Sequence, residues 1–133
     1  MADVRRVTDT FSVAPQIHPE TLADLARQGF RLVINNRPDQ ESADQPPSTV
    51  LAIAARDAGL EYRHIPVRGA PGAREVEAFA AAVSGADGPV LAFCRSGTRS
   101  IVTWALGERA AGRTTDELVR LGREAGYDLS AML

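Results

Sequence analysis

Short apolar runs alternate with amphipathic segments along almost the whole chain. Four apolar runs, bounded by turn-forming residues, predict β-strands at residues 11–13, 30–35, 62–67 and 89–93. Apolar residues spaced three and four apart predict helices at residues 18–28, 48–58, 74–83 and 101–111, and a last helix after residue 114. Strands that alternate with helices predict an α/β fold, with a mostly parallel central sheet flanked by helices on both faces.

Residues that start and stop helices mark the ends of these segments. Pro19 falls at a first helical position, and Gly29 falls where a left-handed cap is expected. Thr114 begins a Thr-x-x-Glu sequence, which predicts a capping box for the last helix. Residues 1–133 are therefore predicted to form a single domain, with its core at about residues 11–129.

Composition and charge indicate which classes of protein and partner to expect. A chain of 133 residues that is 44% hydrophobic and 24% charged suits one globular domain. The net charge of −2 gives no reason to expect nucleic acid or a membrane as a partner. The first residues lack the apolar stretch of a secretory signal, which favours a cytoplasmic location. The sequence leaves open whether the chain forms homo-oligomers.

The chain has one cysteine, Cys94, so it can form neither an internal disulfide nor a cysteine-cluster metal site. His18 and His64 lack the spacing of metal ligands, and no metal or organic cofactor is implied. A lone cysteine at the end of a strand is most often a buried structural residue. The residues that follow Cys94 argue for the other interpretation, a reactive nucleophile.

Cys94 lies in a short loop between a predicted strand and a predicted helix, at the sheet edge where open α/β folds bind ligands. Loop amides, the helix amino terminus and Arg99 all favour a thiolate, and Arg99 can donate two parallel hydrogen bonds to an oxyanion. Gly97 permits the positive φ that turns consecutive amides toward one centre. We therefore predict Cys94 and Arg99 as catalytic residues. The neighbours predicted to contact the substrate are Arg95, Ser96, Gly97, Thr98 and Ser100.

Arg37 and Asp39 end the second predicted strand at the same edge of the sheet as Cys94. They are predicted to line the pocket or bind substrate, with a plain turn stabilised by Asp39 beside a surface arginine as the alternative. His64 lies within a predicted strand and is interpreted as structural.

The loop sequence CRSGTRS at residues 94–100 resembles the active-site loops of cysteine-based phosphatases and rhodaneses. Residues 33–39, 64–67 and 125–129 add a more specific resemblance, to a small bacterial family of dual-specificity-phosphatase-like fold, the beta-lactamase hydrolase-like proteins. That resemblance implies a cysteine-phosphatase-like topology and a sulfur transferase activity. It also implies a functional link to a persulfide-processing enzyme of the metallo-β-lactamase type, because the family occurs fused to such hydrolases.

Two features depart from the phosphatase pattern. Four residues separate Cys94 from Arg99, as in rhodaneses, whereas phosphatases of this group have five. The segment 68–72, where phosphatases carry an aspartate general acid, has no carboxylate before Glu75. Expelling an alkoxide without a proton donor forfeits a factor of roughly 10²–10⁴ in rate. Both departures favour sulfur chemistry over phosphorus chemistry.

The sequence therefore leads us to expect a sulfurtransferase. A Cys94 persulfide would take sulfane sulfur from a small anionic donor such as thiosulfate and pass it to a thiol or cyanide. The first alternative is a phosphatase that uses a cysteinyl-phosphate, with Glu75, Asp39 or Glu41 as the acid. Two further alternatives remain. One is arsenate reduction with an external thiol, and the other is a non-catalytic module that senses anions or persulfides.

Overall fold

Five strands form a single sheet in the computed structural model of the protein, which describes residues 3–133. The strands are β1 (Arg5–Arg6), β2 (Phe11–Ala14), β3 (Leu32–Asn35), β4 (Glu61–His64) and β5 (Val90–Phe93). The helices in the same residues are α1 (Thr21–Arg27), α2 (Ser48–Asp57), α3 (Ala73–Ser84), α4 (Thr98–Ala110) and α5 (Thr115–Glu124).

The strand order across the sheet is β1-β2-β5-β3-β4. All pairs are parallel except the edge pair β1–β2. The central strand β5 lies between β2 and β3, so that Phe93 is level with Ala14 on one side and Asn35 on the other. Residues that follow these three strands therefore meet at one edge of the sheet. The predicted α/β fold with a mostly parallel sheet is confirmed.

Helices cover both faces of the sheet, because each face buries its own apolar cluster. One cluster contains Phe79 of α3, Trp104 of α4 and Leu118 of α5. The ring of Trp104 stacks on Phe11 at a centroid distance of 5.0 Å. The other cluster contains Leu22 of α1 and Leu51 of α2. Strands β2, β3 and β5 are buried throughout, which explains why their sequences are mostly apolar.

The structure differs from the predicted elements in several places. Strand β4 ends at His64 instead of residue 67. The short strand β1 was not predicted, since two exposed arginines give no apolar signal. Helix α1 begins at Thr21 instead of residue 18, because residues 18–20 form a turn in which the Thr21 amide donates to the His18 carbonyl at 2.9 Å. Helix α4 begins at Thr98 instead of residue 101, so Arg99 lies in its first turn.

No helix within residues 3–133 is both long and apolar enough to cross a membrane.

Candidate active site

The loop between β5 and α4 holds the Cys94 sulfur against a backbone amide. The Gly97 amide donates a hydrogen bond to Cys94 Sγ at 3.1 Å. Cys94 is 1% exposed, and helix α4 begins at the residue after Gly97. The first amides of a helix have no carbonyl partners within it, and its amino end carries a partial positive charge. The loop therefore brings amide donors and a favourable dipole to the sulfur, the arrangement that suits a thiolate and an oxyanion.

Gly97 is required by both its conformation and its surroundings. Its φ is 92°, in the left-handed region, and a Cβ at this position would lie 2.2 Å from the Tyr127 hydroxyl oxygen. That hydroxyl donates to the Ser96 carbonyl at 2.8 Å and so ties the segment after α5 to the loop. Burial raises the pKa of Tyr127 above its ordinary value, which keeps the phenol protonated as this donor.

Arg99 is held by a carboxylate from a different part of the chain, Glu41. Arg99 Nη1 and Nη2 each donate to one Glu41 carboxylate oxygen at 2.8 Å, and Nη1 also donates to the Val67 carbonyl at 2.9 Å. These bonds use three of the five N–H donors of a guanidinium. Within residues 3–133, the donors that remain for an anion are the pair on Nε and Nη2, which share the adjacent side edge of the group. Glu41 thus fixes Arg99 and leaves one bidentate edge open.

Arg37 holds Glu41 from the other side. Its Nε donates to Glu41 Oε1 at 3.0 Å, and its Nη1 donates to Gln16 Oε1 at 3.0 Å. The Arg37 side chain is 5% exposed, so its charge depends on this carboxylate. The structure therefore places Arg37 behind Glu41, where it acts on the site through Glu41 and Arg99.

The charges in this group are mutually stabilised. Hydrogen bonds from Arg99 and then from Arg37 lower the pKa of Glu41 from the ordinary 4.5 to about 2, although burial opposes them. Glu41 in turn raises the pKa of Arg99, and Cys94 adds to this effect, which places the guanidinium within electrostatic range of the sulfur. Two arginines and one carboxylate leave a net positive charge beside the sulfur, which favours an incoming anion.

Ser100 contacts a buried asparagine and not the sulfur. Its hydroxyl donates to Asn36 Oδ1 at 2.8 Å. The Asn36 side-chain amide donates to the Ile65 carbonyl at 2.9 Å, and its backbone amide donates to the Phe93 carbonyl at 2.8 Å. Asn36 thus connects the ends of β3, β4 and β5 to the start of α4 and sets the position of the cysteine loop.

Asp39 and His64 have structural roles. Asp39 Oδ1 accepts from the Ser48 amide at 2.8 Å, at the first residue of α2. His64 Nε2 lies 2.9 Å from the Arg37 carbonyl oxygen and supports the turn after β3. For Asp39, this contact matches the alternative of a stabilised turn, and no contact places its carboxylate near Cys94.

The other predicted substrate contacts line the rim of the loop. Arg95 and Ser96 are exposed, and the Ser96 hydroxyl donates to Thr98 Oγ1 at 3.0 Å. The Arg95 carbonyl accepts from the Gln16 amide at 3.3 Å, which fastens the loop to the end of β2. The Arg95 guanidinium belongs to an exposed residue, so the structure gives it a place at the rim and no fixed contact with the sulfur.

Three residues of the site had only a weak sequence signal. The sequence suggests Glu41 only as a proton donor, and it assigns no role to Asn36 or Tyr127. Each acts through a contact between distant segments: Glu41 and Arg99 are 58 residues apart, and Tyr127 and Ser96 are 31 apart.

Fold and site together define an enzyme domain with a phosphatase-like fold, and comparison with known proteins agrees. The family model for the phosphatase-like domain of beta-lactamase hydrolase-like protein matches residues 3–111. The chain belongs to this family. It is 37% identical over 125 residues to the beta-lactamase hydrolase-like protein of Xylella fastidiosa, a match that covers 92% of this chain and 29% of the relative. The chain thus spans under a third of that curated relative.

Two solved structures illustrate the structural similarity. A proposed phosphatase from Neisseria meningitidis superposes with a TM-score of 0.84 and 30% identity, covering 95% of this chain and 90% of the other. TpbA from P. aeruginosa, solved in complex with phosphotyrosine, gives a TM-score of 0.69 at 17% identity, with coverage of 98% and 78%. At that identity the second match shows the fold alone, which is the predicted cysteine-phosphatase-like topology.

These findings overturn the expected sulfurtransferase activity. The prediction rested on the four-residue spacing between Cys94 and Arg99 and on the missing acid, yet the chain belongs to a phosphatase-like family and superposes on a proposed phosphatase at 30% identity. The physical reason is that the reach of Arg99 depends on more than the loop length. Glu41 and the Val67 carbonyl hold its guanidinium from outside the loop.

Proposed function

We propose that this domain is a phosphatase that hydrolyses phosphate monoesters or anhydrides through a cysteinyl-phosphate on Cys94. The observation that carries the proposal is the environment of the Cys94 sulfur: the Gly97 amide donates to it, and the Arg99 guanidinium lies within electrostatic range of it. The family and the structural neighbours support the same assignment.

The reaction has two displacements at phosphorus. The Cys94 thiolate attacks the phosphorus atom, a P–S bond forms, and the bond from phosphorus to the leaving oxygen breaks with its electron pair on that oxygen. Water then attacks the same phosphorus, the P–S bond breaks, and inorganic phosphate and the thiolate are released, with the proton of water passing to solvent or phosphate. The α4 amino terminus and Arg99 stabilise the phosphoryl oxygens in both steps.

Turnover of an aryl phosphate by the purified protein tests the proposal directly. Cys94→Ser should lower phosphate release by at least roughly 10³-fold, because the nucleophile is lost. Arg99→Lys should lower kcat/KM by roughly 10²–10³-fold, since lysine cannot form the bidentate contact. Arg109→Lys, at an exposed position in the last turn of the same helix, is the matched control and should change kcat/KM little. Phosphate release that persists in Cys94→Ser would refute the proposal.

The partner predicted from the resemblance, a metallo-β-lactamase-type enzyme, stays part of this proposal. The name and the greater length of the curated relatives support it, because those proteins carry most of their residues outside the region that this chain matches. The cytoplasmic location stays a prediction.

A further inference from the structure

An apolar groove lies directly beside Arg99. It has a volume of about 470 Å³ and is lined by the loop before α3, one side of α4 and the last residues of the described chain. Its apolar wall includes Ala70, Pro71, Val102, Leu106 and Met132. Among its lining residues only Thr98 and Arg99 have polar side chains, and both belong to the first turn of α4. A phosphate held by Arg99 can therefore direct the rest of its molecule into this groove.

The carboxylates considered as proton donors are all engaged elsewhere. Both oxygens of Glu41 are paired with Arg99, and its low pKa keeps it ionised at neutral pH. Glu75 Oε1 accepts from the Gly72 amide at 2.9 Å and caps α3. Asp39 Oδ1 accepts from the Ser48 amide and caps α2. Where the groove receives the leaving group, its wall offers methyl and methylene groups and no acid.

We propose, building on the phosphatase assignment above, that the substrates are phosphates with an apolar, weakly basic leaving group, which lies in the groove formed by Pro71, Leu106 and Met132 and departs without being protonated. Acyl phosphates and acidic aryl phosphates share this chemistry. Alkyl phosphate monoesters do not, because an alkoxide must take up a proton as it leaves.

The first step then balances without an acid. Cys94 sulfur attacks phosphorus, the P–O bond of an acyl phosphate breaks, and the carboxylate departs with the electron pair as a stable anion. Water hydrolyses the cysteinyl-phosphate in the second step. The overall reaction consumes one acyl phosphate and one water and yields a carboxylate and inorganic phosphate, with no oxidant, reductant or metal required.

A series of substrates with different leaving groups tests whether the site lacks a general acid. We would compare kcat/KM for p-nitrophenyl, phenyl and benzyl phosphate with wild-type protein and Cys94→Ser. The expected result is a steep fall along the series, by roughly 10²-fold or more at each step, since a general acid that would compensate is worth about 10²–10⁴. A flat, Cys94-dependent series would show that a proton donor operates and would overturn the proposal. Absence of Cys94-dependent release from every substrate would instead refute the phosphatase assignment itself.

A second comparison tests the groove. Hexanoyl phosphate should be preferred to acetyl phosphate by about tenfold in kcat/KM, because its methylene groups leave water. Met132→Gln should abolish that preference by lowering kcat/KM for hexanoyl phosphate toward the value for acetyl phosphate. Ile53→Gln, at a comparably exposed position on α2, is the matched control and should keep the preference. An equal rate for the two acyl phosphates, or a preference that survives Met132→Gln, would overturn the placement of the leaving group.

Discussion

Glu41 is the residue on which the charge balance of the site depends. It pairs with an arginine that is almost fully buried and with the arginine that faces the sulfur. Removing its charge leaves Arg37 uncompensated and allows Arg99 to move, so we expect Glu41→Gln to lower both stability and kcat/KM. The stability loss should be about 1–3 kcal/mol at neutral pH.

The pH dependence of this loss follows from the pKa of Glu41. Folding lowers that pKa from 4.5 to about 2, so the ion pairs stabilise the native state fully above pH 4.5, and this stabilisation disappears as the pH falls toward 2. Urea unfolding of wild type and Glu41→Gln at several pH values measures this stabilisation. The difference in unfolding free energy should be constant near neutrality and shrink between those two values. A difference independent of pH would contradict the assignment of the stabilisation to the Glu41 charge.

Gly97 offers a second prediction at the level of one residue. An alanine there would combine a positive φ with a clash against the Tyr127 hydroxyl, so Gly97→Ala should destabilise the fold by roughly 1–3 kcal/mol and disturb the amide that contacts Cys94. Gly112→Ala is the matched control, since Gly112 has a φ of +116° and open space around it. If both variants lose equal stability and keep activity, the contact with Tyr127 has no part in shaping the loop.

At the level of elements, helix α2 receives its cap from outside its own sequence. The residue before it is Pro47, which offers no side-chain oxygen, and the first turn contains no acidic residue. Asp39 supplies the missing acceptor from the loop after β3. We expect Asp39→Ala to cost about 1 kcal/mol and Asp39→Asn to cost less, as measured by thermal or urea unfolding. A loss of turnover without a loss of stability would instead restore Asp39 as a substrate contact.

The elements also show which parts of the fold the local sequence pattern does not specify. The pattern of apolar residues predicted all five helices and the strands β2 to β5, because these signals are local. The exposed strand β1 and the first turn of α4 have no apolar pattern and were missed. Within the site, Cys94 and Arg99 stood out because they share one short loop. The roles of Glu41 and Asn36 depend on which strands lie side by side in the sheet, which no local pattern specifies.

At the scale of the whole molecule, the order of the strands assembles the site. Since β5 lies between β2 and β3, the cysteine loop is flanked by Gln16 after β2 and by the segment 36–41 after β3. The neighbouring strand β4 leads into the Val67 carbonyl that fixes Arg99. The candidate site therefore depends on four strand ends, although a single loop supplies the proposed nucleophile.

Asn36 links three of these strand ends to α4, and a double-mutant cycle with Ser100 measures that link. Asn36→Ala removes partners from the buried Ser100 hydroxyl and the Ile65 carbonyl, so it should cost about 2–4 kcal/mol. Ser100→Ala should cost about 1 kcal/mol, and the double variant should cost less than the sum, because the two share one hydrogen bond. Parallel turnover assays should show kcat falling with Asn36→Ala, since the cysteine loop loses its tie to β3 and β4. Strict additivity in stability, or full activity in Asn36→Ala, would mean that the sheet positions Cys94 without this buried network.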